Sequence, residues 1–67
     1  MLTNLKAAMW ERHISGRKIA ELLKIRPETV SDKILGKTDF TRTEMFLIHD
    51  TFFKDIDMAY LFREKAK

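Results

Sequence analysis

The chain has 67 residues, of which 34% are charged, with a net charge of +3 and no cysteine. That length supports one small domain, and a domain of this size buries only about 60% of its unfolded surface, so little of its core is redundant. The missing cysteines exclude disulfides and thiolate metal sites, no apolar run approaches the roughly 20 residues of a membrane span, and the opening MLTNLK lacks the apolar block of a secretion signal, so a soluble, cytoplasmic protein is expected.

Periodicity near 3.6 recurs along the chain and strand-like alternation is absent. In a first helix Leu2, Leu5, Ala8 and Met9 form one apolar stripe, with Thr3 as its expected cap. Trp10 falls to the side of that stripe, so partial exposure is expected. A second helix starts after Ser15, a good N-cap, and buries Ile19, Ala20, Leu22 and Leu23. Lys24 and Ile25 turn the chain. A third helix begins at Pro27, whose missing N–H costs nothing at the first helical position. It points Val30, Ile34 and Leu35 inward and ends at Gly36.

Residues 37–40 read as a loop. Thr41 and Glu44 form a capping box that opens a fourth helix. Its inward set is Met45, Ile48 and Phe52, with Phe53 as a further candidate. A short fifth helix follows Asp57 and carries Tyr60, Leu61 and Phe62, after which the charged end from Arg63 to Lys67 is expected to fray. The fold class is therefore all-α, a compact bundle of about five short helices in a single domain over residues 1–67.

Charge divides the chain. Residues 1–37 hold eight basic and four acidic side chains, a net of +4, whereas residues 38–67 hold five and six, a net of −1. Four of the five phenylalanines lie in the fourth and fifth helices. The segment of about residues 41–62 thus reads as a hydrophobic buttress, and the basic half as a working surface that meets an anion.

The run ISGRKIAELLKIRPETVSDKILGK meets the packing needs of a helix-turn-helix over about residues 15–35. Ala20 is small enough for a second helix to approach closely. Ile25 plugs the gap after the turn, and Val30 locks the second helix onto the first. With these residues in place, the sequence resembles the phage repressor and Cro-type helix-turn-helix family, whose fold is lambda-repressor-like, and in particular its small single-domain phage and prophage members. VSDKILGK looks like that family's recognition helix and glycine loop, and FTRTEMFLIHDTFFKDIDMAYLF like its closing two helices, so the resemblance covers about residues 4–62. Three positions depart from the family. Lys24 and His13 stand where glycine is usual, which would strain each by about 1 kcal/mol if its φ is positive. Gly16 stands where a glutamine commonly contacts phosphate.

The resemblance implies a transcriptional regulator whose helix of about residues 27–35 enters the major groove of double-stranded DNA. Spacing from Val30 and Ile34 points Glu28, Thr29, Ser31, Asp32 and Lys33 outward, with Arg26 and Pro27 at the helix start. Thr29 and Ser31 suit bases or phosphates. Arg17, Lys18, Lys33 and Lys37 suit phosphates. The acids are less expected. Glu28 in the first turn favours the helix dipole, by roughly 0.3–1 kcal/mol, and is able to orient Arg26. Asp32 has three readings: acceptance from cytosine N4–H, rejection of wrong sequences, or plain solvation. One such domain offers an interface of only about 600–1,000 Å², so a homodimer on a palindromic site is a further expectation. Met58, Tyr60 and Phe62, together with Trp10, are candidates for its surface, unless they simply close the core.

Catalysis is not expected, because no nucleophile, base and acid share a usable spacing. His13 and His49 lack paired ligand spacing for zinc. Asp50, Asp55 and Asp57 resemble a calcium loop only loosely, without its glycine and closing glutamate. No cofactor, small-molecule substrate or membrane partner is implied. The alternative function is a protein-binding adaptor or anti-repressor-like module that keeps the fold without strong DNA affinity. The modest charge and the two acids on the third helix favour that alternative.

Overall fold

The computed structural model of the chain describes residues 1–63. These form five helices and no strand: α1 (Thr3–Glu11), α2 (Gly16–Leu23), α3 (Pro27–Leu35), α4 (Arg42–Phe52) and α5 (Met58–Leu61). The arrangement is all-helical and compact, as expected. The chain end expected to fray, beyond Arg63, lies outside the described residues. No helix among the described residues is long and apolar enough to cross a membrane.

Caps set most boundaries. The Ser15 side chain accepts from the Lys18 amide at α2. Pro27 occupies the start of α3. Thr41 and Glu44 exchange both bonds of the capping box, at 2.9 and 3.1 Å. Asp57 accepts from the Tyr60 amide at 2.9 Å and starts α5. Thr3 does not cap α1: the helix begins at Thr3 itself, and Leu2 in the cap position offers no side-chain acceptor. Instead the Leu2 amide donates to the Ile34 carbonyl at 2.8 Å, which fastens the start of α1 to the end of α3.

Helices α1, α2 and α3 end alike. Each is followed by a residue with positive φ (His13 at 56°, Lys24 at 59°, Gly36 at 93°). The next amide then reaches back to a carbonyl of the last turn: Ile14 to Met9, Ile25 to Ala20 and Lys37 to Asp32. This left-handed ending normally falls to glycine, because a Cβ there meets the backbone. Only Gly36 meets that preference, so His13 and Lys24 each carry strain of about 1 kcal/mol. Replacing Lys24 with Gly is therefore expected to stabilise the fold by about 0.5–1 kcal/mol, less than the full strain because glycine also loosens the unfolded chain. The readout is the urea midpoint, and a midpoint that stays put or falls refutes the expectation.

The core gathers Leu2, Leu5, Ala8 and Met9 of the α1 stripe, Ile19 and Ala20 of α2, Val30 and Ile34 of α3, Ile48 of α4 and Leu61 of α5. Leu22, Leu23, Ile25, Met45 and Phe52 pack half-buried against it. Two further members come from outside the helices. Phe40, in the 37–40 loop, is buried and meets Phe62 edge-on at 5.7 Å. Phe53 follows α4 in a non-helical conformation and is fully buried. One inward assignment is corrected: Leu35, the last residue of α3, is 46% exposed. Tyr60, a candidate surface residue of α5, is 49% exposed.

Arg12 clamps α1 to the far end of the chain. Its guanidinium forks onto Asp55 at 2.8 and 2.7 Å, donates to the Phe52 carbonyl at 3.0 Å and lies over the Phe53 ring at 5.5 Å. The fork holds the Asp55 carboxyl below the usual carboxylate range. Asp55 and Asp57 thus have structural partners. Asp50 lies against His49, whose other ring nitrogen sits 2.7 Å from the Ile56 carbonyl.

Candidate nucleic-acid interface

Helices α2 and α3 pack against each other more extensively than any other pair of elements. Three residues join them: Lys24 in the left-handed region, Ile25, and Arg26 in extended conformation. Ala20 and Val30 are buried and Ile25 is half-buried, as the spacing required. A Cβ on Gly16 would stand an ordinary 3.9 Å from Val30 Cγ1, so packing does not demand glycine there.

The expected site residues divide into three groups. Arg17, Lys18, Arg26, Pro27, Glu28, Ser31 and Lys37 are exposed. Arg17 and Lys18 stand in the first turn of α2, and Lys37 follows Gly36 at the far end of α3, so exposed cations lie at the start of one helix of the pair and beyond the end of the other. Thr29 and Asp32 are half-buried. Among the described residues neither Glu28 nor Asp32 enters an ion pair, so Glu28 does not hold Arg26 in this conformation. Glu28, Asp32 and Leu35 recur at helical spacing (i, i+4, i+7), and this gives α3 an outer stripe that is acidic and then apolar.

Lys33 is the correction. Its outward assignment fails, because its side chain is 11% exposed and pairs with Glu44 at 3.1 Å. The ammonium also donates to the Asp39 carbonyl at 2.9 Å and stands 5.7 Å from the centre of the Phe40 ring. Spacing along α3 alone missed this, because α4 and the 37–40 loop crowd only that flank of the helix. Lys33 therefore positions the loop carrying Lys37 and is not a free phosphate ligand.

The same pair is sensitive to acid. Burial pushes the Glu44 carboxyl upward, but the Thr41 amide and the Lys33 ammonium outweigh it, and the net value is lowered. A carboxyl whose folded value is depressed stabilises above its unfolded value of 4.5. That contribution fades as the pH falls through the lower folded value. Glu44→Gln is expected to lower the stability by about 1 kcal/mol near neutrality, from the weakened cap and pair. In urea melts taken across pH, the gap between Glu44→Gln and the native chain should close once both side chains are neutral. A gap that persists in acid would show that shape rather than charge holds the loop.

Sequence reasoning missed two residues of this surface. Lys6 is exposed on α1 and lines a shallow groove with Gly16 and, along α3, Pro27, Ser31 and Leu35. Its signal was its place on the flank of the Leu5–Met9 stripe, but the choice between flanks required knowing where α3 lies. Leu35 was hidden by the opposite error, since an apolar residue in register with the stripe is normally buried. No protein-family model matches this chain, and neither does any curated protein or solved structure, so its function is read from its own residues and geometry.

Proposed function

We propose that the chain is a sequence-specific double-stranded-DNA-binding transcriptional regulator of the phage repressor and Cro type, acting in the cytoplasm. In this reading α2 and α3 form a helix-turn-helix, and α3 enters the major groove by its first turns. The observation that carries the reading is an exposed α3 start on the same helix pair as exposed cations at the start of α2 (Arg17, Lys18) and beyond the end of α3 (Lys37). Phosphate contacts by these cations set register on the duplex, while Arg26, Glu28, Thr29, Ser31 and Asp32 read base edges. Arg17 and Lys18 support the reading in a second way. Cations in the first turn oppose the helix dipole, so they cost α2 some stability, which a phosphate partner would offset. Half-exposed Tyr60 supports α5 as the surface that would pair two copies on a palindrome.

The test is binding of the purified chain to mixed-sequence duplex across salt concentrations. Affinity is expected to climb steeply as salt falls. Lys37→Ala should weaken binding to all sequences alike and lower the salt slope by about one. An unchanged slope removes Lys37 from the interface.

A protein-binding adaptor is the second reading, and the Glu28, Asp32 and Leu35 stripe specifically favours it. An acidic and apolar helix face suits a basic, apolar protein groove better than it suits phosphate. Absence of duplex binding at low salt, with a defined complex to a protein partner, would establish that reading instead.

A further inference from the structure

We infer that Trp10 and Lys6 of α1 form a second contact with the same duplex, on the sugar–phosphate backbone beside the segment that α3 reads; the inference rests on the DNA-binding reading above. The first observation is exposure. Trp10 is 83% exposed, although it is the largest apolar side chain in the chain. It stands over a shallow apolar depression with Thr3, Ala7 and Ile14, edged by Lys6 and Glu11.

The second observation is continuity. Lys6 and Met9 line this depression and also the groove that contains Gly16, Pro27 and Ser31. The Trp10 face therefore adjoins, through Lys6, a groove that runs along α3 from Pro27 to Leu35 and includes Gly16 at the start of α2. Ile14 ends the depression one residue before Ser15, the cap of the helix that carries Arg17 and Lys18.

The third observation is charge. Lys6 and Glu11 lie about 140° apart around α1 by helical geometry. Lys6 faces the groove shared with α3, and Glu11 takes the opposite edge. A polyanion lying along the α3 groove thus meets Lys6, which lines that groove, and not Glu11, which does not. The outer stripe of α3 supplies no cation, and Lys33 is held by Glu44. Lys6 replaces part of that missing charge from another helix.

The chemistry of the occupant follows. An indole offers one N–H donor and a flat apolar face. A sugar–phosphate backbone presents acceptor oxygens beside the apolar face of deoxyribose. Trp10 is suited to lie on the sugar with its N–H toward a phosphate oxygen, while Lys6 neutralises that phosphate or the next. Such contacts position the protein and are blind to base sequence.

Trp10 is the only tryptophan, so its emission reports directly on this surface. The full chain is titrated with mixed-sequence duplex at low salt, and separately diluted without DNA. Emission is expected to change on duplex addition and to be independent of protein concentration. Trp10→Ala should weaken binding about tenfold on every sequence, the equivalent of burying roughly half of an exposed indole. Lys6→Ala should lower the salt slope by about one. Both residues are exposed, so the variants are expected to keep the helical fold, which circular dichroism checks. Arg17→Ala separates the two readings. If it weakens binding while Trp10→Ala does not, and emission stays constant through saturation, the second contact is overturned and the DNA reading stands. If the native chain binds no duplex, both fall. If emission shifts with protein concentration in the absence of DNA, the face pairs copies of the chain, and the inference is overturned.

Discussion

Phe53→Ala is expected to leave the chain close to unfolded at room temperature. Phe53 is the largest of the fully buried side chains, closed in by Phe52 edge-on at 6.2 Å and by the Arg12 guanidinium above its ring. Truncating a buried phenylalanine costs about 3–5 kcal/mol, part transfer and part cavity. The total stability of a chain this short is about 3–10 kcal/mol, so the loss is comparable to the whole. In a thermal melt followed by circular dichroism, the midpoint should fall by on the order of 15–30 °C. Phe46→Ala is the control. Phe46 is about half exposed on α4, and its removal should move the midpoint by a few degrees only. Equal shifts for the two variants would refute the placement of Phe53 at the centre of the core.

The double variant Arg17→Glu, Lys18→Glu is expected to abolish duplex binding while keeping or slightly raising stability. Two exposed cations become anions facing phosphate, so affinity at low salt should fall by on the order of 100-fold or more. Stability moves the other way. Glutamates in the first turn of α2 favour the helix dipole, by roughly 0.3–1 kcal/mol each, and the Ser15 cap to the Lys18 position is a backbone bond that survives the exchange. Opposite signs for binding and stability are a signature that a merely destabilised protein cannot produce. Affinity retained at low salt by a folded double variant would remove the start of α2 from the interface and would favour the adaptor reading.

Much of the fold was legible because it depends on near neighbours. Ser15, Pro27, Gly36, Thr41 with Glu44, and Asp57 mark helix ends through bonds that span a few residues at most. The α1 stripe and the Ala20, Ile25 and Val30 spacing follow from helical periodicity. Positive φ at His13 and Lys24 was expected only through the family resemblance read in the sequence, since neither residue type invites it. Thr3 misled because a good cap residue stood one position inside the helix, where the chain is held by the Leu2 to Ile34 bond instead.

The misplaced site residues share one cause. Periodicity separates the inner from the outer side of a helix, but it does not say which flank another element will cover. Lys33 lies on the flank that α4 and the 37–40 loop close over, so it became a partner of Glu44. Leu35, at the end of the same helix, was left uncovered. Phe40 and Phe53 lie outside helices, where no periodicity applies, yet both are buried because the chain turns there across the core.

The sequence by itself determined the helices, most of their caps, most of the apolar faces they bury, and the basic bias of the first half, because these arise from local bonds, from side-chain spacing and from composition. Only the tertiary structure decided which cations stay free. It brought Glu44 and the Asp39 carbonyl to Lys33, Asp55 to Arg12, and Lys6 to the groove of Gly16 and Pro27. Those meetings join residues on different elements, and electrostatic partners depend on distance in space, which spacing along one helix does not contain.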